Sequence, residues 1–213
     1  VSRGDESNEM GDNLTVIDLG SGRNATSITA GAKHTCVMLD NASIKCWGQG
    51  EYGQLGSSEK KPEKKPKSDP INLGSGINAK AIVSGNSHNC VMLDNSSIKC
   101  WGYNASGQLG EGETKSLNKP PQNVLELGSG RTATAIVAGN FHTCVMLDNS
   151  SIKCWGLNDS GQLGLGDTNK RGDEPNEMAD YLPAVDLGSG KTARAISAGD
   201  SHTCAVLDNA SLK

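Results

Sequence analysis

The stretch V-M-L-D-N-S-S-I-K-C-W-G occurs twice without a change, at Val91–Gly102 and at Val145–Gly156. A near copy, with Ala in place of one Ser, lies at Val37–Gly48, and a shortened one, A-V-L-D-N-A-S-L-K, lies at Ala205–Lys213. Tandem copies with a period of a few tens of residues are typical of propellers and solenoids, in which each copy buries its apolar surface against the next. The repeat therefore points to an array rather than to an ordinary globular domain.

The composition favours the same reading. Of 213 residues, 35% are hydrophobic, 3% are aromatic and 27 are glycine. Such a chain suits many thin layers better than one thick core. The formal net charge of -4 argues against nucleic acid as a partner. Because no run of 18 apolar residues occurs, we expect no membrane insertion.

The repeats can be phased on the segment before each Leu-Gly-Ser-Gly. This gives repeat 1 at 16–69, repeat 2 at 70–123, repeat 3 at 124–183 and a partial repeat 4 at 184–213. Residues 1–15 are predicted to be the tail of a preceding repeat, because R-G-D-E-S-N-E-M at 3–10 returns as R-G-D-E-P-N-E-M at 171–178. Since both ends fall inside a repeat, we expect a fragment of a longer or assembled propeller.

Each complete repeat is predicted to form four short strands. In repeat 3 the first is Leu125–Leu127, the third is His142–Asp148 and the fourth is Ser151–Gly156, while Ala79–Gly85 is an example of the second. Val, Ile, Thr and Trp favour strands, and Gly and Asn separate them. Both faces of the third strand are apolar, so neighbours should cover each sheet on both sides. The predicted fold is all-β, a β-propeller-like array of four-stranded antiparallel blades without long helices.

The motif G-x-x-H-T-C-x-x-L-D followed by C-W-G-x-N-x-x-G-Q-L-G resembles the regulator of chromosome condensation repeat. The resemblance covers nearly the whole chain apart from its loops. The matching copies are Gly31–Asp40 with Cys46–Gly56, Gly85–Asp94 with Cys100–Gly110, Gly139–Asp148 with Cys154–Gly164, and the half-copy Gly199–Asp208. It implies a β-propeller, usually of seven units. It also implies a possible role as a guanine-nucleotide exchange factor for a small GTPase, since the family includes such proteins.

The seven cysteines occupy repeated positions, which suggests pairing within each repeat. Directly opposed strand residues have Cβ atoms about 4.5–5.5 Å apart, close to the roughly 3.5–4.5 Å of a disulfide. Reduced, buried cysteines, the cytosolic norm, are the alternative. The recurrence of the spacing in every complete copy favours disulfides and a secreted, Cys-paired type of the family. The predicted pairs are Cys36 with Cys46, Cys90 with Cys100, and Cys144 with Cys154, which leaves Cys204 unpaired in this chain.

The opposed cysteines also define the hairpin between the third and fourth strands. Placing Cys36 opposite Cys46 leaves a loop of Asp40, Asn41 and Ala42. A three-residue loop needs a residue in the left-handed backbone region, and Asn tolerates that region. We therefore expect Asn41 to take this conformation.

Asn-x-Ser/Thr triplets are the candidate glycosylation sites. They begin at Asn13, Asn24, Asn41, Asn95, Asn104, Asn149, Asn158 and Asn209. Asn41, Asn95, Asn149 and Asn209 fall at predicted hairpin tips, where a glycosyltransferase could reach them. The alternative is that asparagine serves the turn alone. Together with the cysteine pairs, the triplets favour a secreted glycoprotein in an extracellular or cell-surface location.

The remaining recurrent residues are expected to be structural. One histidine and one nearby cysteine in each repeat give too few ligands for zinc. The histidines His34, His88, His142 and His202 should instead hydrogen-bond to backbone inside their own repeat. The tryptophans Trp47, Trp101 and Trp155 should pack between blades. The Gly-Gln-Leu-Gly elements lack the Lys-Ser/Thr ending of a phosphate loop and indicate turns.

The segment Ser57–Ser68 departs from the repeat. Its sequence, S-S-E-K-K-P-E-K-K-P-K-S, carries five lysines and two prolines. A solvated, extended loop is the simplest interpretation. Docking on an acidic polymer or a sulfated sugar remains the alternative.

The chain is predicted not to be an enzyme, because an active site needs one unique cluster and every reactive group here recurs in each copy. No catalytic or metal-binding residue and no cofactor are therefore assigned. The uniformity of the repeats, even at lysines 45, 99 and 153, which should lie on the surface, favours an extracellular structural or adhesive role. The chain would then belong to a filament, a surface coat or a larger glycoprotein. Its partners would be copies of itself, further repeats of the same polypeptide, or other extracellular proteins or glycans. The alternative is a protein-interaction propeller, such as the exchange factor that the resemblance implies.

Overall fold

The computed structural model describes residues 5–213, so residues 1–4 of the predicted tail lie outside the described residues. In this part of the chain the only helical elements are single 3-10 turns at Gly11–Asn13 and Ala179–Tyr181. No helix in this range is long and apolar enough to span a membrane. The strands are β1 (Ala25–Ala30), β2 (His34–Leu39), β3 (Ile44–Gly48), β4 (Ala79–Ser84), β5 (His88–Leu93), β6 (Ile98–Gly102), β7 (Ala133–Ala138), β8 (His142–Leu147), β9 (Ile152–Gly156), β10 (Ala193–Ala198) and β11 (Thr203–Leu207).

The strands form small antiparallel sheets, one in each repeat. Three sheets have the orders β1-β2-β3, β4-β5-β6 and β7-β8-β9, and a two-stranded sheet pairs β10 with β11. The first strand of every sheet carries one extra residue opposite its partner, for example at Ala25–Ser27. Such a bulge increases the local twist of the sheet. The all-β prediction is confirmed.

The predicted four-stranded blade is not confirmed, because the sheets have three strands. In repeats 2 and 3, the segments predicted as first strands meet a sheet through a single backbone bond each, and the predicted first strand Val16–Leu19 of repeat 1 lies outside every sheet. Ile71 N donates to Ile44 O, and Leu125 N donates to Ile98 O, both at 2.8 Å. These acceptors lie in the outer strand of the preceding sheet. The chain then turns at Leu-Gly-Ser-Gly, where Gly74 has a φ of 114°, so the segment leaves the sheet edge before a strand can form.

Apolar side chains between successive sheets hold the array together. Between the first two sheets, Ile44 and Cys46 pack against Ile82, Val91 and Trp101. The next two interfaces repeat this arrangement. Because the second and third sheets are covered on both faces, removing one of them would expose the apolar faces of its neighbours. The sheets are therefore blades in the sense of a propeller.

The inner strands of the four blades are linked by a series of backbone hydrogen bonds. Ala32 N donates to Asn86 O, Asn86 N to Asn140 O, and Asn140 N to Asp200 O, at 3.0–3.1 Å. A glycine precedes each of these residues. A Cβ at Gly85 would come within 2.1 Å of His88 Cε1 and 2.4 Å of Gly139 O. This position therefore requires glycine, because the histidine ring and the next blade fill the space.

Candidate functional site

The structure contains the three disulfides that the sequence predicts. Cys36 lies directly opposite Cys46 in the ladder, with equivalent positions for the other two pairs. The sulfur–sulfur distances are 2.01, 2.08 and 2.11 Å for Cys36–Cys46, Cys90–Cys100 and Cys144–Cys154. Cys204 is a free, partly exposed thiol. Each three-stranded blade thus carries one covalent bond between its second and third strands.

The hairpin that each disulfide closes differs from the prediction in one respect. The left-handed residue is the one after the asparagine, for instance Ala42 with a φ of 60°. The asparagine is engaged differently, because Asn41 Oδ1 accepts bonds from Ser43 N at 3.3 Å and from Ser43 Oγ at 2.7 Å. A side-chain turn of this kind takes over the role that we expected from the asparagine backbone. The same arrangement recurs at Asn95, Asn149 and Asn209.

The hairpin-tip asparagines are accessible for modification. Asn41, Asn95, Asn149 and Asn209 are exposed, and their amide nitrogens donate to no group within residues 5–213. Since glycans attach to that nitrogen, the tips remain candidates. Asn13 and Asn24 also lie at exposed positions.

Asn104 and Asn158 are removed from the glycosylation candidates. Both are fully buried. The amide of Asn104 donates to Glu113 O at 2.7 Å, and its carbonyl accepts from Leu109 N at 2.9 Å. Asn158 makes the equivalent bonds. These side chains organise the loop after each blade, and a glycan would have no space there.

Three of the four histidines, His34, His88 and His142, connect neighbouring blades, which corrects the expectation of bonds inside one repeat, whereas His202 is exposed. His88 Nε2 lies 3.1 Å from Thr143 Oγ1 of the next blade, and Thr143 Oγ1 donates to Gln108 O at 2.9 Å. The Thr143 hydroxyl has one proton, which it donates to Gln108 O, so it can only accept a hydrogen bond from His88. The imidazole proton of His88 therefore lies on Nε2. His142 with Thr203 and His34 with Asn89 repeat the arrangement.

Burial keeps these rings neutral. Desolvation lowers the pKa of His88 to about 3 and that of His142 to about 4, and it also lowers the pKa of His34. The Nδ1 atom of each ring is buried and has no hydrogen-bond partner in the described part of the chain. A second proton would therefore enter a site without an acceptor. No group of three or more potential metal ligands occurs among residues 5–213.

Tryptophan packs between blades as predicted. Trp101 and Trp155 are fully buried, and their indole N–H groups donate to Gln54 O and Gln108 O of the preceding unit at 3.1 and 3.0 Å. Each glutamine carbonyl thus accepts two hydrogen bonds from the next blade, one from the indole and one from the residue that bonds to the histidine, Asn89 for Gln54 and Thr143 for Gln108. Trp47 is only partly buried.

The loop Ser57–Ser68 is less free than its composition suggests. Lys67 Nζ lies 3.1 Å from Glu59 and 3.3 Å from Glu63, and Lys61 Nζ lies 2.8 Å from Glu59. The backbone of Glu63 also pairs with Gly48. The loop thus neutralises part of its own charge.

One cluster that sequence analysis missed breaks the repeat. Tyr52, Tyr103 and Phe141 come from three consecutive units, with ring centroids 4.8 Å apart for the first pair and 6.0 Å for the second. Tyr52 is 44% exposed. Each of the three rings occupies a different position of the repeat, and other repeats carry different residues there. Ser106 and Ser160, for example, stand at the position of Tyr52. The sequence does indicate such a cluster, because three of the four Tyr and Phe residues of the chain lie at these positions, which the other repeats fill with different residues.

Comparison with known proteins identifies the repeat. Two family models, both described as the Regulator of chromosome condensation (RCC1) repeat, match the chain. One matches residues 25–54, 79–108 and 133–162, and the other matches residues 46–92, 100–146 and 154–206. Together they cover residues 25–206.

Among curated proteins, the chain is 29% identical to the ultraviolet-B receptor UVR8 of Arabidopsis thaliana over 192 residues, which cover 89% of this chain and 41% of UVR8. Prp20p, the RCC1 protein of Saccharomyces cerevisiae, has a similar fold, with a TM-score of 0.71 and 22% identity over 91% of this chain and 45% of Prp20p. The ectodomain of the receptor kinase CR4 of Physcomitrella patens has a TM-score of 0.55 and 16% identity, over 89% of this chain and 40% of that ectodomain. The chain spans less than half the length of each.

Proposed function

We propose that this chain, which belongs to the regulator of chromosome condensation (RCC1) repeat family, is an extracellular structural or adhesive array that works by assembly rather than by catalysis. In this proposal it contributes blades to a filament, a surface coat or a larger glycoprotein. Its partners are copies of itself or further repeats of the same polypeptide, with other extracellular proteins or glycans as additional ligands.

The observation that carries the proposal is the disulfide inside every three-stranded blade. Disulfides persist in oxidising compartments and are rare in the cytosol. The hairpin next to each disulfide ends in an exposed asparagine whose amide nitrogen is free, as at Asn95. Both features fit a location outside the cell. The fold is compatible with that location, since the CR4 ectodomain shares it.

The exposed face of the first blade supports assembly. Ile28 in β1 is 70% exposed, whereas its counterparts Ile82 and Ile136 are 5% and 6% exposed because the preceding blade covers them. Val16 and Ile17, in the segment that precedes β1, are also exposed. At about 25 cal/mol per Å2, covering such a face stabilises an assembly by several kcal/mol. Another blade is the partner that this face fits.

Glycan analysis tests the location. Protein from its native source is expected to carry at least one N-linked glycan at Asn41, Asn95, Asn149 or Asn209, and none at Asn104 or Asn158, whose amides are buried. Peptide mapping by mass spectrometry, before and after enzymatic deglycosylation in 18O-labelled water, measures this. Each glycosylated asparagine is converted to an 18O-labelled aspartate, which identifies the site by its mass. Unmodified asparagine at all four tips, or glycans at Asn104, would contradict the proposal.

A second candidate function is a protein-interaction propeller, such as an exchange factor for a small GTPase. The aromatic cluster of Tyr52, Tyr103 and Phe141 favours it, because a site for a non-periodic partner must break the repeat. The structural study of Prp20p addresses binding of that protein to Gsp1p and histones. If this candidate is correct, Tyr52→Ala should abolish partner capture while Ser106→Ala, at the equivalent position, should not.

A further inference from the structure

The grooves between neighbouring blades are filled differently, although the blades that form them are nearly identical. The connector after β9 runs from Gly156 to Val185, whereas the connector after β6 runs only from Gly102 to Leu125 and is six residues shorter. The additional residues fold into the groove between the second and third blades. There Leu182 is 2% exposed, and Met178 packs beside it in the apolar core.

The filling segment Met178–Leu182 makes three kinds of contact. The methyl group of Met178 lies 2.9 Å from where a Cβ would stand on Gly110. The carboxylate of Asp180 accepts bonds from Ser129 N, at 2.8 Å, and from the Ser129 hydroxyl. Ala179 O accepts a bond of 2.6 Å from Lys153 Nζ. The segment thus supplies an apolar side chain, a carboxylate and a carbonyl.

The groove between the first and second blades contains a cavity of about 640 Å3 in the corresponding place. Its lining includes Gly56, Gly74 and Lys99, the counterparts of Gly110, Gly128 and Lys153. Ser75, the counterpart of Ser129, directly follows Gly74; it is exposed and makes no hydrogen bond within residues 5–213. The groups that hold the filling segment in one groove are therefore also present in the other, where Ser75 has no partner within residues 5–213.

A comparison of Lys99 with Lys153 shows which chemical group the cavity between the first and second blades could bind. Sequence analysis placed this lysine on the surface, but it is 3% exposed, and its Nζ donates to Leu73 O at 2.9 Å and to Gln122 O at 3.1 Å. Gln122 O thus replaces the carbonyl that Ala179 provides to Lys153. Burial lowers the pKa of both lysines, and only for Lys153 does a carboxylate, Asp180, oppose the shift. Glu63 and Asp69 also line the cavity, but neither forms an ion pair with Lys99, and Glu63 is paired with Lys67. A carboxylate placed beside Lys99, as Asp180 is beside Lys153, would counter the charge of the buried ammonium.

The chain carries a second segment with the fold of the filler. Residues 8–14, N-E-M-G-D-N-L, align with 176–182, N-E-M-A-D-Y-L. Met10 and Met178 have φ angles of -113° and -114°, and each precedes a single 3-10 turn. Gly11 and Ala179 both have a positive φ, which glycine adopts with less strain. In its own chain this segment is not buried: Met10 is 57% and Leu14 is 41% exposed.

We propose that the cavity between the first and second blades binds the segment 8–14 of a second copy of this chain. Met10 enters the apolar space beside Gly56, and the Asp12 carboxylate accepts hydrogen bonds from Ser75 next to Lys99. The contact is head-to-tail, because the segment and the groove are different surfaces. A head-to-tail contact continues into a chain of copies unless the rotation closes a ring. This inference rests on the self-assembly in the proposed function and names the contact that drives it.

Sedimentation velocity of the whole chain over a range of concentrations tests the inference. All proteins carry Cys204→Ser, so that no intermolecular disulfide contributes. Asp12→Asn removes the charge of the acceptor and Ser75→Ala removes the hydroxyl donor, so each is expected to weaken the association roughly tenfold, the typical effect of losing a charge-assisted hydrogen bond. Ser129→Ala is the matched control, because it alters the groove that the chain fills itself, and it should leave the association constant unchanged. Asp12 and Ser75 are both exposed, so neither change should prevent folding.

A labelled peptide of residues 5–14 provides the second measurement. It should bind the chain, compete with self-association and lose affinity when its aspartate at position 12 is asparagine. Association that persists unchanged in Asp12→Asn and Ser75→Ala would overturn this contact while leaving the proposed assembly in place. A parent Cys204→Ser chain that stays monomeric at about 1 mM would overturn both this contact and the association of separate copies in the proposed function.

Discussion

Lowering the pH from 7 to 4.5 is expected to reduce the free energy of unfolding by about 5 kcal/mol through His88 and His142 alone. Burial lowers their pKa values to about 3 and about 4, while in the unfolded chain both lie near 6.5. A neutral buried imidazole contributes its full stability above the unfolded pKa. That stability is lost as the pH falls from about 6.5 toward the folded pKa, at about 1.4 kcal/mol per pH unit for each ring.

Urea denaturation at several pH values measures the effect. The carboxyl groups of Asp40, Asp148 and Asp180 have lowered pKa values, so the stability they contribute is lost below about pH 4, outside this window. The double variant His88→Gln and His142→Gln keeps an N–H donor but cannot titrate. It should remove most of the slope between pH 6.5 and 4.5. An unchanged slope in the variant would contradict the assignment.

Reduction of the three disulfides is expected to lower the free energy of unfolding by about 8 kcal/mol in total. Each bond closes a loop with a sequence separation of 10. In the chain-entropy model a loop of that size contributes about 2–3 kcal/mol. Since domains are typically stable by only about 5–15 kcal/mol, the reduced chain should be largely unfolded near 37 °C.

Circular dichroism during thermal unfolding, with and without reductant, checks this expectation. Cys90→Ala with Cys100→Ala should cost about one third of the total, whereas Cys204→Ser should have no effect, because that thiol is unpaired. Equal melting temperatures for the oxidised and reduced chains would show that interblade packing alone maintains the fold.

The sequence predicts best what lies within one repeat. The opposed cysteines follow from spacing and strand parity, both of which are local. The predicted first strand failed, because only one residue of each segment, such as Ile71, reaches the edge of a sheet before the glycine turn. The left-handed residue of the hairpin was misplaced by one position, since Asn41 forms the turn with its side chain instead.

Contacts between repeats were not predictable in the same way. The bond from His88 to Thr143 joins residues 55 positions apart, and no periodicity within one blade indicates it. The lysines at 45, 99 and 153 repeat like surface residues but are buried, because the ammonium groups of Lys99 and Lys153 bond to carbonyls of the adjoining connectors. The aromatic cluster forms only when three blades are placed side by side. The packing of blade on blade thus decides what the repeats present to a partner.

Alkylation of cysteine in the native source tests the central claim most directly. Cells are treated with a thiol-blocking reagent before lysis. The protein is then digested without reduction, and the masses of its peptides are measured by mass spectrometry. An extracellular array with one disulfide in each three-stranded blade predicts label at Cys204 at most, and none at the six cysteines of the three pairs. Label on all seven cysteines would place the chain in a reducing compartment and contradict the account.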